Sequence, residues 1–214
     1  MTPATIAGMC KLSGLDAAAL TDHNTCGNCA AFCQAAEAYG LLALPGMELC
    51  TREEVHIVCV FPDLERAGAF QEEVYRSLGE ARNDPAIFGR QLYLDADDRV
   101  LGEEPRLDVP VTVYSFSDFS LPEDAPDAAA HIDRSSFSLL SNLGLWDPGL
   151  GFSLAEVSRN CPPDFVSGRR DLRGVPTITG CDAHYLEQIS DAGQVMEVPA
   201  RSREAVLAWL RRGA

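Results

Sequence analysis

Long apolar runs and basic residues are both scarce in this 214-residue sequence. No apolar run approaches the roughly 20 residues that a membrane helix needs. No basic segment followed by an apolar one opens the sequence, so we expect neither a membrane span nor a secretory signal, and a cytoplasmic location. The 17 basic residues face 32 acidic ones, a net charge of -15. That charge argues against a protein that wraps positive charge around a long nucleic acid.

The composition is otherwise that of a globular protein, with 46% apolar and 23% charged residues. The length fits a single domain over residues 1–214. Without a secretory signal, the eight cysteines are not expected to form a disulfide framework. Cys26, Cys29 and Cys33 have the spacing of a thiolate metal site. However, Cys29 and Cys33 lie four apart on one face of a predicted helix, which favours packing in the core.

Strand and helix patterns alternate along most of the chain. Predicted strands cover 15–21, 41–44, 55–61, 152–157 and 175–179, and predicted helices cover 3–13, 28–39, 62–78, 136–143 and 202–212. This alternation predicts an α/β fold with a mainly parallel sheet and helices outside it. Pro45 and Gly46 are expected to form a turn that ends the second strand. Residues from about 84 to 130 are rich in Asp and Pro, and we expect an irregular excursion there.

All four histidines lie within or just after predicted strands, or close to their ends: His23, His56, His131 and His184. Carboxylates accompany them at Asp22, Asp133 and Asp182, and Glu48 also follows a strand. Parallel α/β sheets assemble their sites at the carboxyl ends of several strands. Imidazole and carboxylate are ligands that divalent metals such as zinc accept. One histidine at a strand end is more often structural, but four in such positions together predict a metal site.

Five short motifs follow one another along the sequence. They are Thr21-Asp22-His23-Asn24, Pro45-Gly46-Met47-Glu48, Glu54-Val55-His56-Ile57, His131-Ile132-Asp133-Arg134 and Cys181-Asp182-Ala183-His184. In this order and rough spacing they resemble the motifs of the PHP (polymerase and histidinol phosphatase) family of metal-dependent phosphoesterases. Each motif is weak alone, whereas five in order are a strong signal. The resemblance implies a distorted (β/α)7 barrel with divalent ions at its mouth.

The resemblance also implies roles for individual residues. By position, the metal ligands would be His23, Glu48, His56, His131, Asp182 and His184. Catalytic roles would fall to His23, His131, Asp182 and Arg134, and Asp22 would orient a neighbouring group. Arg52 and Arg134 are candidates for binding the substrate phosphate, because a guanidinium matches phosphate oxygens in bidentate fashion. Either arginine is equally well explained as a surface ion-pair residue.

The implied reaction is hydrolysis of a phosphate ester, assisted by Mn, Zn or Fe ions. The His131-Ile132-Asp133-Arg134 motif resembles one branch of the family, which suggests nucleotides or short RNA ends as substrates. A small phosphorylated substrate is compatible with the acidic chain, since bound cations reverse the local field. Sugar phosphates and histidinol phosphate are less favoured. The sequence gives no prediction of the oligomeric state.

Two departures from the family pattern leave an alternative open. The family's first motif, a His-x-His on the first strand, has no counterpart before Thr2, so the resemblance implies a barrel that lacks its first strand. The stretch 121–130 also lacks the strand expected before His131. An impaired or non-catalytic remnant that binds metal without turnover is therefore the alternative to an active phosphoesterase.

Overall fold

The computed structural model, which describes residues 1–78, 82–106, 125–190 and 195–212, contains one curled sheet of six strands and a separate two-stranded hairpin. The strands are β1 (Ala17–Leu20), β2 (Leu42–Cys50), β3 (His56–Val60), β4 (Leu92–Leu94), β5 (Val100–Glu103), β6 (Asp127–Ala129), β7 (Leu154–Ser158) and β8 (Thr177–Gly180). The helices are α1 (Pro3–Leu12), α2 (Cys29–Ala38), α3 (Leu64–Ser77), α4 (Pro85–Phe88), α5 (Leu139–Leu143) and α6 (Arg203–Arg212). Short 3₁₀ turns cover Pro148–Leu150 and Leu186–Gln188.

The large sheet has the order β1-β2-β3-β6-β7-β8. Five of its strands run in one direction, and β3 alone is antiparallel to both neighbours. The sheet is therefore mainly parallel, as predicted, and β3 is its one exception. Only residues 51–55 separate β2 from β3, and a parallel connection needs a crossover of about a dozen residues or more.

The sheet is open, because β1 and β8 each pair with one strand only among the described residues. A curled open sheet of this kind is compatible with a barrel-type fold. The six strands described here do not test the predicted count of seven strand–helix units, which stays a prediction.

The predicted turn at Pro45 and Gly46 is wrong. β2 continues through both residues to Cys50, and Gly46 pairs with Val60 of β3. Glycine is needed there for a different reason: a Cβ at Gly46 would lie 2.8 Å from the Thr21 side chain and 2.9 Å from the Cys59 carbonyl oxygen. The residues that look like a turn instead allow close packing of strand against strand.

The excursion is more regular than the sequence predicts. It contains α4 and the β4–β5 hairpin, and its last residues form β6 inside the main sheet. The prediction that no strand precedes His131 is wrong, because Ala128 and Ala129 pair with Val58 and Ile57. A three-residue strand is too short to show an alternating pattern. Residues 107–124 lie outside the described residues, so this part of the predicted excursion is not tested.

Buried side chains pack on both faces of the sheet. α1, α2 and α3 cover β1, β2 and β3 with a cluster that includes Phe32, Phe61 and Phe70, and α6 packs Val206 and Leu207 beside Leu154 of β7. Cys26 and Cys29 are buried in the first of these clusters, as the packing prediction requires. In the described residues no helix combines the length and the apolar character that crossing a bilayer demands.

Candidate metal centre

The antiparallel direction of β3 brings the histidines to one edge of the sheet. His23 lies three residues after the end of β1, His131 two after β6, and His184 four after β8. His56 is the first residue of β3. Since β3 is reversed, its beginning meets the carboxyl ends of the other strands.

Glu48 of β2 lies at the middle of this group. Its Oε1 is 2.9 Å from His56 Nδ1 and 3.2 Å from His131 Nε2, and its Oε2 is 3.5 Å from His23 Nδ1. The carboxylate is buried, with 5% of the residue exposed. Three predicted ligands therefore surround a fourth.

Local backbone structure holds these side chains in place. His131 and Asp182 both have positive φ angles, 31° and 41°, and so does Phe137 at 52°. The Phe137 ring stacks on His56 with centroids 4.8 Å apart, and the Phe137 carbonyl accepts a hydrogen bond from the His56 amide. Positive φ in residues other than glycine is strained and tends to cluster at functional sites.

The segment after β6 is fixed to the neighbouring strand β7. Both carboxylate oxygens of Asp133 accept hydrogen bonds from Ser158, one from its amide at 2.7 Å and one from its hydroxyl at 2.5 Å. The Ile132 amide donates to the Glu156 carbonyl. The two residues that follow His131 are therefore hydrogen-bonded to β7, which holds the His131 backbone in place.

Burial and the contacts among the clustered side chains set the direction in which the pKa of each group is shifted. Burial alone would raise the pKa of Glu48, but hydrogen bonds from His131 and His56 and the nearby His23 lower it below its usual range. Burial tends to lower the pKa of His131, yet the hydrogen bond and charge of Glu48 raise it overall. For His23 burial dominates, and its pKa is lowered despite Glu48. Glu48 is thus an ionised carboxylate among imidazoles.

Asp182 and His184 lie on the other side of His23, beyond the end of the edge strand β8. The His23 and His184 rings are 5.9 Å apart. His184 Nδ1 is 3.5 Å from Asp182 Oδ1, and Arg134 Nη1 is 2.5 Å from Asp182 Oδ2. About half of the His184 side chain is exposed.

The donor set fits a divalent ion. One ligand atom each from His23, Glu48 and His56 lies within 4.8 Å of the others. His131 Nδ1 is buried and has no hydrogen-bond partner in the part of the chain that the structure describes. Imidazole nitrogens and a carboxylate suit Zn, Mn or Fe, and neutral imidazole is the form that binds.

A cavity of about 1100 Å³ opens beside this cluster. It runs along β1 and β8, the two open edges of the sheet. Its lining at the cluster end includes His23, Glu48, Asp182 and His184. Four of the six predicted ligands therefore face a space large enough for a small molecule.

Two other predicted residues lie at the margin. Arg52 is exposed in the turn between β2 and β3. Burial raises the pKa of Asp22, against a hydrogen bond with Asn28 that lowers it. The Asp22 carbonyl accepts a hydrogen bond from the Glu48 amide, so Asp22 supports the segment beside the cluster through its backbone.

Glu156 of β7 was missed by the sequence analysis. It is buried, with 6% exposed, and burial together with Glu48 raises its pKa to about 7. Its side chain covers Gly180 of β8, where an added Cβ would collide with the Glu156 carboxylate. The available signal was one acidic residue inside an otherwise apolar predicted strand.

No family model matches the chain, and no curated protein matches it by sequence. Solved structures do match. A lesion-specific endonuclease from Pyrococcus furiosus is 15% identical with a TM-score of 0.60, and the match covers 99% of this chain but 51% of the endonuclease. The chain therefore spans about half the length of that protein.

Two further structures match over nearly their whole length. An amidohydrolase from Chromobacterium violaceum, solved with bound sulfate and no metal, is 19% identical with a TM-score of 0.60, covering 99% of this chain and 92% of that one. A protein described as a metal-dependent phosphoesterase from Bifidobacterium adolescentis is 16% identical with a TM-score of 0.58, covering 100% and 91%. At these identities the likeness shows the fold. The chain shares its fold with these proteins, one of which is described as a metal-dependent phosphoesterase, and this agrees with the family that its motifs resemble.

Proposed function

We propose that this protein is a metal-dependent phosphoesterase that hydrolyses phosphate esters of nucleotides or short RNA ends. The observation that carries the proposal is the buried Glu48 carboxylate, which has three imidazoles within 3.5 Å. An ionised carboxylate surrounded by imidazole nitrogens is a ligand set for one or more divalent ions, which bind the neutral form of imidazole.

His23, Glu48, His56 and His131 would hold ions in the enclosed part of the cluster, and Asp182 and His184 would complete the set on its open side. When bound, such ions supply a water of lowered pKa and neutralise charge on phosphoryl oxygens. Arg134 would bind a phosphate oxygen, because its partly exposed guanidinium already contacts the Asp182 carboxylate at the same opening. The left-handed backbone of His131 and Asp182 would fix the directions of two ligands.

The cavity and the charge of the chain support a small substrate. The cavity of about 1100 Å³ admits a nucleotide-sized molecule at the cluster. The fold neighbour from Pyrococcus is an endonuclease, and Endonuclease Q has been solved with a duplex carrying an abasic lesion. A net charge of -15 disfavours holding a long duplex without a further basic surface. We therefore propose small phosphorylated substrates.

A phosphatase screen with added Mn²⁺ tests the proposal. The substrates are a nucleoside bisphosphate, a 5′-phosphorylated RNA trimer, a sugar phosphate, and an abasic duplex as the competing class. We expect phosphate release from the first two, abolished by a chelator and by Glu48→Gln. Release by Glu48→Gln at the unaltered rate, or cleavage of the duplex alone, would overturn the proposal.

The open sheet edge favours the second candidate, a metal-binding protein without turnover. β1 and β8 leave one side of the cluster without a strand between them in the described residues, and His184 is correspondingly exposed. Elemental analysis beside the phosphatase screen separates the two candidates. Bound metal without phosphate release from any substrate would support this second candidate.

A further inference from the structure

The loop that carries His23, residues 21–28, is held by the main sheet on one side. The Asn24 amide donates to the Glu48 carbonyl at 3.0 Å, and the Asn24 side-chain oxygen accepts from the Cys50 amide at 2.9 Å. Asn24 is fully buried and has a φ of 53°. This side fixes the loop to β2, the strand that carries Glu48.

The β4–β5 hairpin holds the other side of the same loop. The Asn28 side chain donates to the Leu92 carbonyl and accepts from the Leu94 amide, each at 3.0 Å. The side-chain amide of Asn28 thus makes the two hydrogen bonds with β4 that a neighbouring strand would otherwise make. The loop is therefore connected to the hairpin by the equivalent of a pair of sheet hydrogen bonds.

A chain of hydroxyl groups forms a second connection. Thr25 Oγ1 lies 2.7 Å from Tyr75 Oη, which lies 3.1 Å from Tyr93 Oη. The Tyr93 hydroxyl donates to the buried carboxylate of Glu104 at 2.5 Å. The Tyr93 ring covers Gly27 so closely that an added Cβ would lie 2.1 Å from it. The hairpin thus packs directly against the loop.

The hairpin is itself anchored at both ends. At its turn, Asp98 accepts hydrogen bonds from the Thr2 hydroxyl at 2.6 Å and the Ala4 amide at 3.0 Å, at the beginning of α1. At its base, Arg106 donates to both carboxylate oxygens of Glu104 at 3.0 Å and lies over the Tyr75 ring. Because both ends of the hairpin are held in this way, its contacts with the His23 loop can hold that loop in place.

We propose that the β4–β5 hairpin positions His23 for metal binding through Asn28 and Tyr93, which act as positioning residues. The proposal rests on the proposed function only in taking His23 as a ligand. Of the three histidines around Glu48, His23 is the one that most needs such support. It lies on a loop, a quarter of its side chain is exposed, and it stands 3.5 Å from Glu48, against 2.9 Å for His56. Metal sites require ligand distances correct within about 0.2 Å.

Titration calorimetry with Mn²⁺ alone tests the proposal on the full chain. Asn28→Ala should weaken binding about tenfold, the range found when a group that orients a ligand is removed. Tyr93→Phe keeps the ring over Gly27 and loses the contacts of its hydroxyl with Tyr75 and Glu104, so we expect a smaller loss, about threefold. Asn83→Ala is the matched control: its side chain binds the Gly89 carbonyl elsewhere in the excursion. Tyr39→Phe on the surface is the second control.

The histidine ring resonances of the metal-free protein give a reading that does not depend on metal. In Asn28→Ala the His23 ring should shift while the His131 ring does not. If Asn28→Ala does not fold, Tyr93→Phe, which leaves the hydrogen bond between Asn28 and Asp22 in place, takes its place. Manganese affinities within twofold of the unaltered protein, with an unmoved His23 resonance, would overturn the proposal. If the unaltered protein binds no Mn²⁺, the proposed function fails, and the His23 resonance still decides the positioning role.

Discussion

The candidate metal centre has two unequal halves. The enclosed half consists of Glu48, His56 and His131, whose side chains are 7%, 12% and 4% exposed. The open half consists of Asp182, His184 and Arg134, whose side chains are 15%, 53% and 43% exposed. His23 lies between them, with its ring near both His56 and His184.

For His56, His131 and His184, the difference in exposure follows from the sheet. β2, β3 and β6 each have a neighbour on both sides, whereas β8 is an edge strand among the described residues. Groups on inner strands are held by hydrogen-bonded ladders and are shielded from water, which strengthens their mutual electrostatic interactions. We infer that the enclosed half binds an ion most tightly and that the open half receives the substrate.

The largest expected effect is at the centre of the enclosed half. Glu48→Gln keeps the shape of the side chain and removes its charge. Metal affinity should fall by more than about 100-fold, since losing a ligand exceeds the cost of losing a group that merely orients one. Equilibrium dialysis with Mn²⁺ measures this. Glu37→Gln, at an exposed site on α2, is the control. Retained affinity in Glu48→Gln would place the ion elsewhere.

In the open half, His184→Ala should separate binding from turnover. The enclosed half keeps its ligands, so at least one ion should remain bound, while phosphate release falls on the order of 100-fold. Metal content and initial rates on the same preparation give both values. Unchanged turnover would show that the open half is not part of the reaction site.

Glu156 gives a test that involves both halves, because its buried carboxyl group interacts with Glu48 and His131 of the enclosed half and with Asp182 and Arg134 of the open half. Its pKa in the folded protein, about 7, exceeds its ordinary value of 4.5, so the unfolded chain releases this proton first as the pH rises. The contribution of Glu156 to the stability of the metal-free protein should therefore decline between about pH 4.5 and 7 and then stay low. Glu156→Gln should remove this decline and add on the order of 2–3 kcal/mol at pH 8.

Urea unfolding at several pH values, with a chelator present, measures the effect of Glu156. Glu65→Gln, at an exposed site on α3, should leave the pH profile unchanged. A profile that stays the same in Glu156→Gln would mean that the carboxylate is not forced to ionise in a buried position.

The smallest expected effect concerns Arg134. Arg134→Lys keeps the charge but loses the planar fork, so KM should rise roughly tenfold with a lesser change in kcat. Because the Arg134 side chain is 43% exposed, the stability change should stay below about 1 kcal/mol. Steady-state kinetics with thermal unfolding checks both, with Arg212→Lys as the control. A fall in kcat at constant KM would point away from phosphate binding.

The sequence determined the class of fold and the neighbourhood of the site. Alternating strand and helix patterns predicted most elements of the main sheet to within a few residues, because burial on a sheet or a helix face leaves a local period in the chain. The same locality explains why His23, His56, His131 and His184 could be placed near strand ends. Their roles as ligands stay predictions.

Other features depended on contacts between residues far apart in sequence. The reversal of β3 and the existence of β6 arise from pairing with strands that the local pattern cannot identify, and the burial of Glu156 arises from β8 lying beside β7. The inequality of the two halves has the same origin. Whether a strand lies inside a sheet or at its edge is decided by long-range pairing. That position determines which histidines are shielded around Glu48 and which one meets the solvent.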